Sequence, residues 1–583
     1  MSFYRRHEMA KPLMEAPICT PPGPAPAYRA RDSAPGTLLV LTTRTCRNTE
    51  FVPKLSNVPG HDTAQQKPMT VTVLESSLNE AEQPARLLRR FLRSKLALFF
   101  GLLTLILVLK WSTLTEPPLW DAAMSVFPAA ITLEEHGFDY GFLLSQPGYS
   151  DGGPNVHSLS PITLVTALAV RLIGDGPSLF PVLHFIHFAI AAFAFTGVFR
   201  LSEMVLGRRL AAAVTFSALI FPLVLTQVGF MYLEIAMLAA FVYALLAWHR
   251  GSVVTAAAWS TLAVLVKASG IIIAVALAGV ALFDPRPERR SAKNALVVAI
   301  TPLLAMIGQA VAGTPSGIPD IQGHMTLVVT YLASVPDLAF IVLALLIVST
   351  VSPPWRKSEL RKDDQATNIQ VTTTFVLVAF IAFYLAIPFF GLRSPVLPRY
   401  YVAIFPVALM GLVAVIQRRF SVRTAVLALV VLSIISVVNR DGTLYPQRDN
   451  EAFPIAERSG AYRDLLELQF QGTTALIEAG RSGPVFYAQP EHYRFNYPLM
   501  GYASGPLPDG HSIEHELPYR EARLTDFPDS FVMLFEFDWL GGEEIQEVWD
   551  QAAVDPTRSV VVTTITAGDY ASSLIKVTTK GGD

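Results

Sequence analysis

The chain of 583 residues carries only two cysteines, Cys19 and Cys46, and both lie in its N-terminal tail. No disulfide or cysteine metal site is therefore available to anything beyond that tail, and thiol redox chemistry is not expected. Charge is scarce as well: 16% of residues are Asp, Glu, Lys or Arg and the formal net charge is -2. Without a broad basic field the chain has no electrostatic footprint for nucleic acid. There is no solenoid-type repeat, and no inverted repeat of the kind that marks transporters. The first apolar run, 94–112, follows Arg89, Arg90 and Arg93 but is not followed by a small-residue cleavage site. It reads as a retained anchor with its N-terminus in the cytoplasm.

What fills the chain is apolar: 52% of residues are hydrophobic and mean hydropathy is +0.42, the composition of an integral membrane protein. Runs long enough to cross a bilayer with some tilt fall near 94–112, 179–199, 209–227, 233–248, 252–268, 269–284, 294–312, 336–352, 371–390, 400–417 and 424–439, which predicts about eleven spans. The stretch 159–173 is apolar too, but it is short, opens on Leu159-Ser160-Pro161 and contains Arg171. It is read as a membrane-surface helix. With it excluded, the clusters around Arg200 and Arg208, at Arg250, at Arg286 to Lys293, at Arg356 to Lys362 and at Arg418 to Arg423 all fall on the cytoplasmic side, as the positive-inside bias requires.

The expected fold is mainly α, a polytopic transmembrane helical bundle with a small extracytoplasmic α/β domain. Residues 1–85, rich in Pro, Thr and small polar residues and without a sustained period, are expected to be a disordered cytoplasmic tail, within which Met69 is an alternative start. Residues 94–440 form the membrane module, with 113–178 as a first outer loop carrying surface helices. Residues 441–583 switch to soluble periods. Helices are predicted near 462–479 and 543–553, and strands near 484–488, 531–537 and 559–565.

Several charged residues gather on the predicted outer face. Asp121 follows Pro117-Pro118-Leu119-Trp120 and precedes a helical stretch, 122–131, that Pro128 is expected to kink. It is either an N-cap or a carboxylate placed to act as a general base. The other acids of that loop, Glu116, Glu134, Glu135, Asp139 and Asp151, are expected to be solvated, and His157 is either an ordinary loop histidine or a residue facing a phosphate or metal. Glu234 lies within a turn of the outer end of an apolar span, where an ionised group at the centre would cost about 2.5 kcal/mol or more. Lys267 stands at the outer junction of two spans with almost no loop between them, and either snorkels to the headgroups or holds a phosphate. Arg393 and the run Pro398-Arg399-Tyr400-Tyr401 add two guanidiniums suited to bidentate phosphate contacts or to interfacial anchoring. His184 and His187, at i and i+3, share one helix face; packing in the bundle fits them better than a metal site, because no carboxylate or cysteine is spaced to complete one.

In this order, Asp121, His157-Ser158-Leu159-Ser160-Pro161, Glu234, Leu265-Val266-Lys267 and Arg399-Tyr400 to Pro406 resemble the motifs of the GT-C superfamily of membrane glycosyltransferases. The branch they resemble contains the protein O-mannosyltransferases and the lipid A aminoarabinose transferase. The resemblance covers roughly 95–440. It departs where the family has Asp-Glu in place of Asp121-Ala122, Lys-Pro-Pro near His157 to Pro161, and Asp at Glu234. It implies a GT-C-like fold and a polyprenyl-phosphate-linked sugar donor on the extracytoplasmic face, with an acceptor that is a glycan, a lipid or a protein. Asp121 and Glu234 are then the catalytic acids, Lys267, Arg399, Arg393 and Tyr400 bind the donor phosphate, and His157 and Asp151 contact the acceptor or shape the loop. No cofactor is named, though a divalent metal is compatible. The rival expectation is a transporter or flippase of a lipid-linked substrate, which should show polar residues or helix breaks near mid-membrane.

Overall fold

A computed structural model of the chain describes residues 95–118, 122–145, 159–174, 176–231, 233–284, 290–312, 376, 398–438, 462–480, 484–487, 502–503, 510–512, 524–535, 542–568 and 570–580. The tail expected over 1–85 and the span expected over 336–352 lie outside these residues, as does the span over 371–390 save Val376.

The described part is mainly helical with one small sheet. Helix α1 (Lys95–Leu109) leads into the stretch 113–178, where α2 (Phe127–Glu135), α3 (Tyr140–Ser145) and α4 (Pro161–Ile173) are found. A π-helical turn, Ala122–Val126, feeds directly into α2. Pro128 therefore sits in the first turn of α2 rather than inside a longer helix, so the expected kink is replaced by a helix start, where a missing N–H removes no bond. Helix α4 starts at Ser160, whose Oγ accepts from Ile162 N, and ends at Gly174 with φ +74. It occupies the stretch read as a surface helix.

Helices α5 (Leu179–Leu206), α6 (Arg208–Ile220), α7 (Pro222–Gly229), α8 (Leu233–His249), α9 (Val253–Val266), α10 (Ile271–Phe283), α11 (Ala292–Ala312), α12 (Phe405–Arg419) and α13 (Val422–Val438) form the bundle. Of the described helices only α5, with 28 residues, is long and apolar enough to cross a membrane alone. The expected span over 209–227 is two helices bent by 64°. Pro222 can neither donate to the preceding turn nor leave Phe221 helical, and Phe221 has ψ 127. Helices α9 and α10, 14 and 13 residues long, each rise about 20 Å, short of a hydrocarbon core of about 30 Å. A count of eleven spans is not carried by these lengths.

Apolarity, however, continues to the outer surface. Inside, Phe188, Phe195, Phe241, Trp248 and Phe405 are fully buried. Outside, Leu96, Val108, Val254, Leu304, Leu427 and Val438 each leave more than half of their surface uncovered. Helices apolar on every face are solvated by lipid rather than by water.

The C-terminal part holds α14 (Tyr462–Ala479), β1 (Val485–Tyr487), β2 (Gly510–Ser512), β3 (Phe531–Phe535), α15 (Gly542–Val554), β4 (Arg558–Ala567) and β5 (Tyr570–Thr579). The sheet order is β2-β1-β3-β5-β4. The first two pairings are parallel; β3 and β5, and the hairpin β4 and β5, are antiparallel. Leu476 of α14 packs on Val485, Val532 and Leu534 across the sheet. At the hairpin turn Gly568 has φ +57, and any Cβ there would run into the Asp464 carboxylate of α14, so a side chain is excluded on both counts.

Candidate functional site

Three charged side chains meet inside the bundle. Glu234 is the second residue of α8, where free N–H groups and the helix dipole favour a carboxylate. Lys267 occupies the break between α9 and a short 3₁₀ turn, Ala268–Gly270, with extended backbone at φ -155 and ψ 135. Its backbone N–H donates to Ala263 O at 3.1 Å and its carbonyl accepts from Gly270 at 2.8 Å. Gly270 makes this tight reversal possible, since a Cβ at that position would overlap the Ala263 carbonyl. Arg399 lies in another 3₁₀ turn, Pro398–Tyr401, just before α12, whose first turn carries Pro406. Both cations are thus delivered by helix interruptions and the anion by a helix start.

The geometry is close. Lys267 Nζ donates to Glu234 Oε1 at 2.5 Å, and Arg399 Nε lies 3.6 Å from the same oxygen, an ionic contact rather than a hydrogen bond. Exposure decides the weight of this cluster: Glu234 is 1% exposed, Arg399 2% and Lys267 8%. Ions removed from water this completely must be paired. With all three ionised the cluster keeps one positive charge in excess, which suits an anionic ligand. Ser269 Oγ, beside Lys267, lies 3.5 Å from Met237 Sδ on the Glu234 helix and ties the two elements together. Met231, just upstream of α8, takes φ +58, a conformation that an unbranched side chain rarely adopts.

The loop after Asp121 arrives at the same place. Val126, from the π-helical turn, shares one apolar cluster with Leu233 and Val266, which adjoin Glu234 and Lys267 in the chain, and with Ala403, four positions after Arg399. Beside it a cleft of about 30 Å³ is lined by Pro118, Ala122, Val126, Ile162, His187 and Met231 among others. Asp121 itself, with Asp151, His157 and Arg393, lies outside the described residues. Tyr400 belongs to the Arg399 turn by its backbone, and its side chain is outside the description.

Some residues behave differently from expectation. Glu116 is not simply solvated: its Oε1 lies 3.1 Å from Arg463 Nε, and its carbonyl is 2.9 Å from His184 Nε2. Glu134 pairs with Arg171 of α4 at 2.9 Å, a partly exposed contact of small energetic value, about 0–1 kcal/mol. Asp139 caps the start of α3 by accepting from Gly141 N at 2.8 Å. His184 and His187 are buried in α5. Among the described residues no group of three or more His, Cys, Asp or Glu is placed to hold a metal. The described acid of the trio, Glu234, is already engaged by two cations, so this donor set does not fit a divalent ion.

No protein-family model matches the chain, and no curated protein matches it. Among solved structures it is similar to ArnT from Cupriavidus metallidurans in the apo state, with 14% identity and a TM-score of 0.46 over 82% of this chain and 97% of that one. It is similar to the same protein bound to undecaprenyl phosphate, with 14% identity and a TM-score of 0.44 over 83% of this chain and 98% of that one. The Archaeoglobus fulgidus oligosaccharyltransferase, in complex with Zn and sulfate, is similar at 15% identity and a TM-score of 0.34, over 71% of this chain and 57% of that one.

Proposed function

We propose that the chain is a membrane glycosyltransferase that moves a sugar from a polyprenyl-phosphate carrier to an acceptor hydroxyl on the extracytoplasmic face. The observation that carries this reading is the buried trio of Glu234, Lys267 and Arg399, cationic overall and packed beside the helix that follows Asp121. Its membrane setting is supported by the apolar outer surface of the bundle. About eleven spans, a cytoplasmic N-terminus and an extracytoplasmic C-terminal domain remain part of the proposal.

The chemistry follows from the charges. Asp121 takes the proton of the acceptor hydroxyl, whose oxygen forms a bond to the anomeric carbon as the bond from that carbon to the phosphate oxygen breaks. The electron pair leaves with the polyprenyl phosphate, and Lys267 and Arg399 stabilise the charge that develops there. A single displacement inverts the anomeric configuration. Glu234 holds the two cations in place and limits the charge they would carry between turnovers. Arg393 and Tyr400 are assigned to the same phosphate, and His157 and Asp151 to the acceptor side.

A transporter is the second reading, favoured by the 64° break at Pro222, since interrupted helices also build translocation sites. Reconstituted protein in vesicles of phosphatidylglycerol and phosphatidylethanolamine, loaded with a panel of undecaprenyl-phosphate hexoses and given total membranes as acceptor source, separates the two. A transferase cleaves the bond between sugar and phosphate and releases undecaprenyl phosphate. A transporter moves the intact lipid between leaflets, and that result without cleavage would reject the enzyme.

A further inference from the structure

Away from the charged trio, three aromatic rings from three helices stack into one half-buried seam. Phe193 of α5 and Tyr243 of α8 lie face to face, with centroids 4.2 Å apart and planes 11° from parallel. Trp259 of α9 stacks on Tyr243 at 5.2 Å. The sequence makes room for the stack at Gly197, one turn after Phe193, where a Cβ would come within 3.0 Å of the Tyr243 ring and of Val242. The Tyr243 hydroxyl turns back onto α5 and donates to the Phe193 carbonyl at 3.4 Å, so its proton is used within the bundle. What the seam leaves open is apolar: Phe193 keeps 36% of its surface uncovered, and Tyr243 and Trp259 are only partly buried.

Two of these helices also carry a cation in register with the stack. Arg200 follows Phe193, and Arg250 follows Tyr243, by seven positions, which returns each side chain to the same helix face about 10 Å further along. Arg250 still closes a helical bond, from its N–H to Leu246 O at 3.0 Å, so the spacing holds to the end of α8. Both arginines are close enough to act electrostatically on the Tyr243 hydroxyl, and so converge on one seam. Arg250 is exposed. Arg200 gives Nη1 to Glu203 Oε2 at 2.8 Å, while its Nε is buried with no hydrogen-bond partner among the described residues, a donor that calls for a further acceptor. Arg200, Glu203 and Arg250 together leave one positive charge in excess. Cations at a helix end, with aromatic rings about two turns deeper on a face open to acyl chains, have the chemistry of a lipid-headgroup site. We infer that this seam binds one anionic phospholipid, its phosphate held by Arg200 and Arg250 and its chains lying over Phe193, Tyr243 and Trp259. A zwitterionic headgroup would bring its own cation to the arginines and gain less. The inference needs the membrane setting of the bundle but not the glycosyltransferase reading.

The test uses the full chain in phosphatidylcholine vesicles, with brominated phosphatidylglycerol or brominated phosphatidylcholine substituted stepwise, since bromine on an acyl chain quenches a tryptophan that it touches. The chain has seven tryptophans, so the Trp259 signal is taken as the difference between the parent and Trp259→Phe. Phosphatidylglycerol should be preferred by about fivefold at half-quenching, the contribution of one net cation near a membrane surface. Arg250→Gln, at an exposed position where substitution leaves the unfolding midpoint close to that of the parent, should erase the preference. Arg250→Lys should keep part of it, because the charge stays while the fork is lost. Glu203→Gln removes the acid that competes for Arg200 and should raise the preference by about fivefold more. Opposite shifts from two single substitutions cannot come from a damaged fold. Excess inorganic phosphate should leave the quenching unchanged, because the acyl chains as well as the phosphate hold the ligand. Equal quenching by the two lipids in the parent, a preference that survives Arg250→Gln, a fall with Glu203→Gln, or displacement by inorganic phosphate overturns the site.

Discussion

Asp121→Asn is expected to reduce sugar transfer by about 10² to 10⁴-fold, the contribution of a positioned general base. Asn has nearly the same shape but no basic oxygen at neutral pH, so the proton of the acceptor hydroxyl has no recipient as the bond to the anomeric carbon forms. Donor binding should be unaffected, because the phosphate is assigned to Lys267 and Arg399. The melting temperature should also hold, since an N-cap survives exchange of Asp for Asn with little loss. Release of undecaprenyl phosphate under saturating donor, measured together with thermal unfolding, checks both halves. Transfer at the parental rate would remove Asp121 from the mechanism and leave it as a cap.

The second large effect belongs to Lys267→Met. Removing the ammonium takes away the partner that lies 2.5 Å from a carboxylate only 1% exposed, and Arg399 at 3.6 Å is too far to replace that hydrogen bond. Breaking a buried pair in this way costs about 3–5 kcal/mol, read as a marked fall in the unfolding midpoint. The same change removes one of two cations assigned to the donor phosphate, so affinity for undecaprenyl phosphate should drop as well. Adding Glu234→Gln separates the two effects. The double variant no longer buries an unpaired carboxylate, and Arg399 alone gives it the same net charge as the parent trio. Stability should recover in large part while donor affinity does not. If both recover together, Lys267 serves the fold and not the ligand.

How much of this was legible in the sequence depends on the kind of signal. Glu234, Lys267 and Arg399 stood out because charges at the ends of apolar runs are expensive and must be answered by something. Their mutual contact could not be read from spacing, since α8, the break before α10 and the turn before α12 are joined only by tertiary packing. The helix break at Phe221-Pro222 was signalled by proline, but the unbroken apolarity of 209–227 masked it as one span. Glu116 reads as surface charge in the sequence because its partner Arg463 is 347 positions away by residue number and lies in a different part of the fold. Neither residue is unusual in its own sequence neighbourhood. The soluble periods did mark α14, α15 and the strands β1, β3 and β4. Strand β5 was missed because Ser572, Ser573, Lys576 and Thr578 dilute its alternation, although its pairing to both β3 and β4 makes it central to the sheet. Pairing in a sheet is a property of neighbours, so a weakly patterned strand can be fixed by the two beside it.

The trio's proposed role is that of a receptor for a lipid phosphate. The most direct measurement is a cryo-electron microscopy structure of the full chain in nanodiscs with undecaprenyl phosphate. Phosphate oxygens are expected within about 3 Å of Lys267 Nζ and the Arg399 guanidinium, the distance of charge-assisted hydrogen bonds, with the lipid tail running out between helices toward the bilayer. Phosphate bound elsewhere, with Glu234, Lys267 and Arg399 sealed against one another as before, would contradict it.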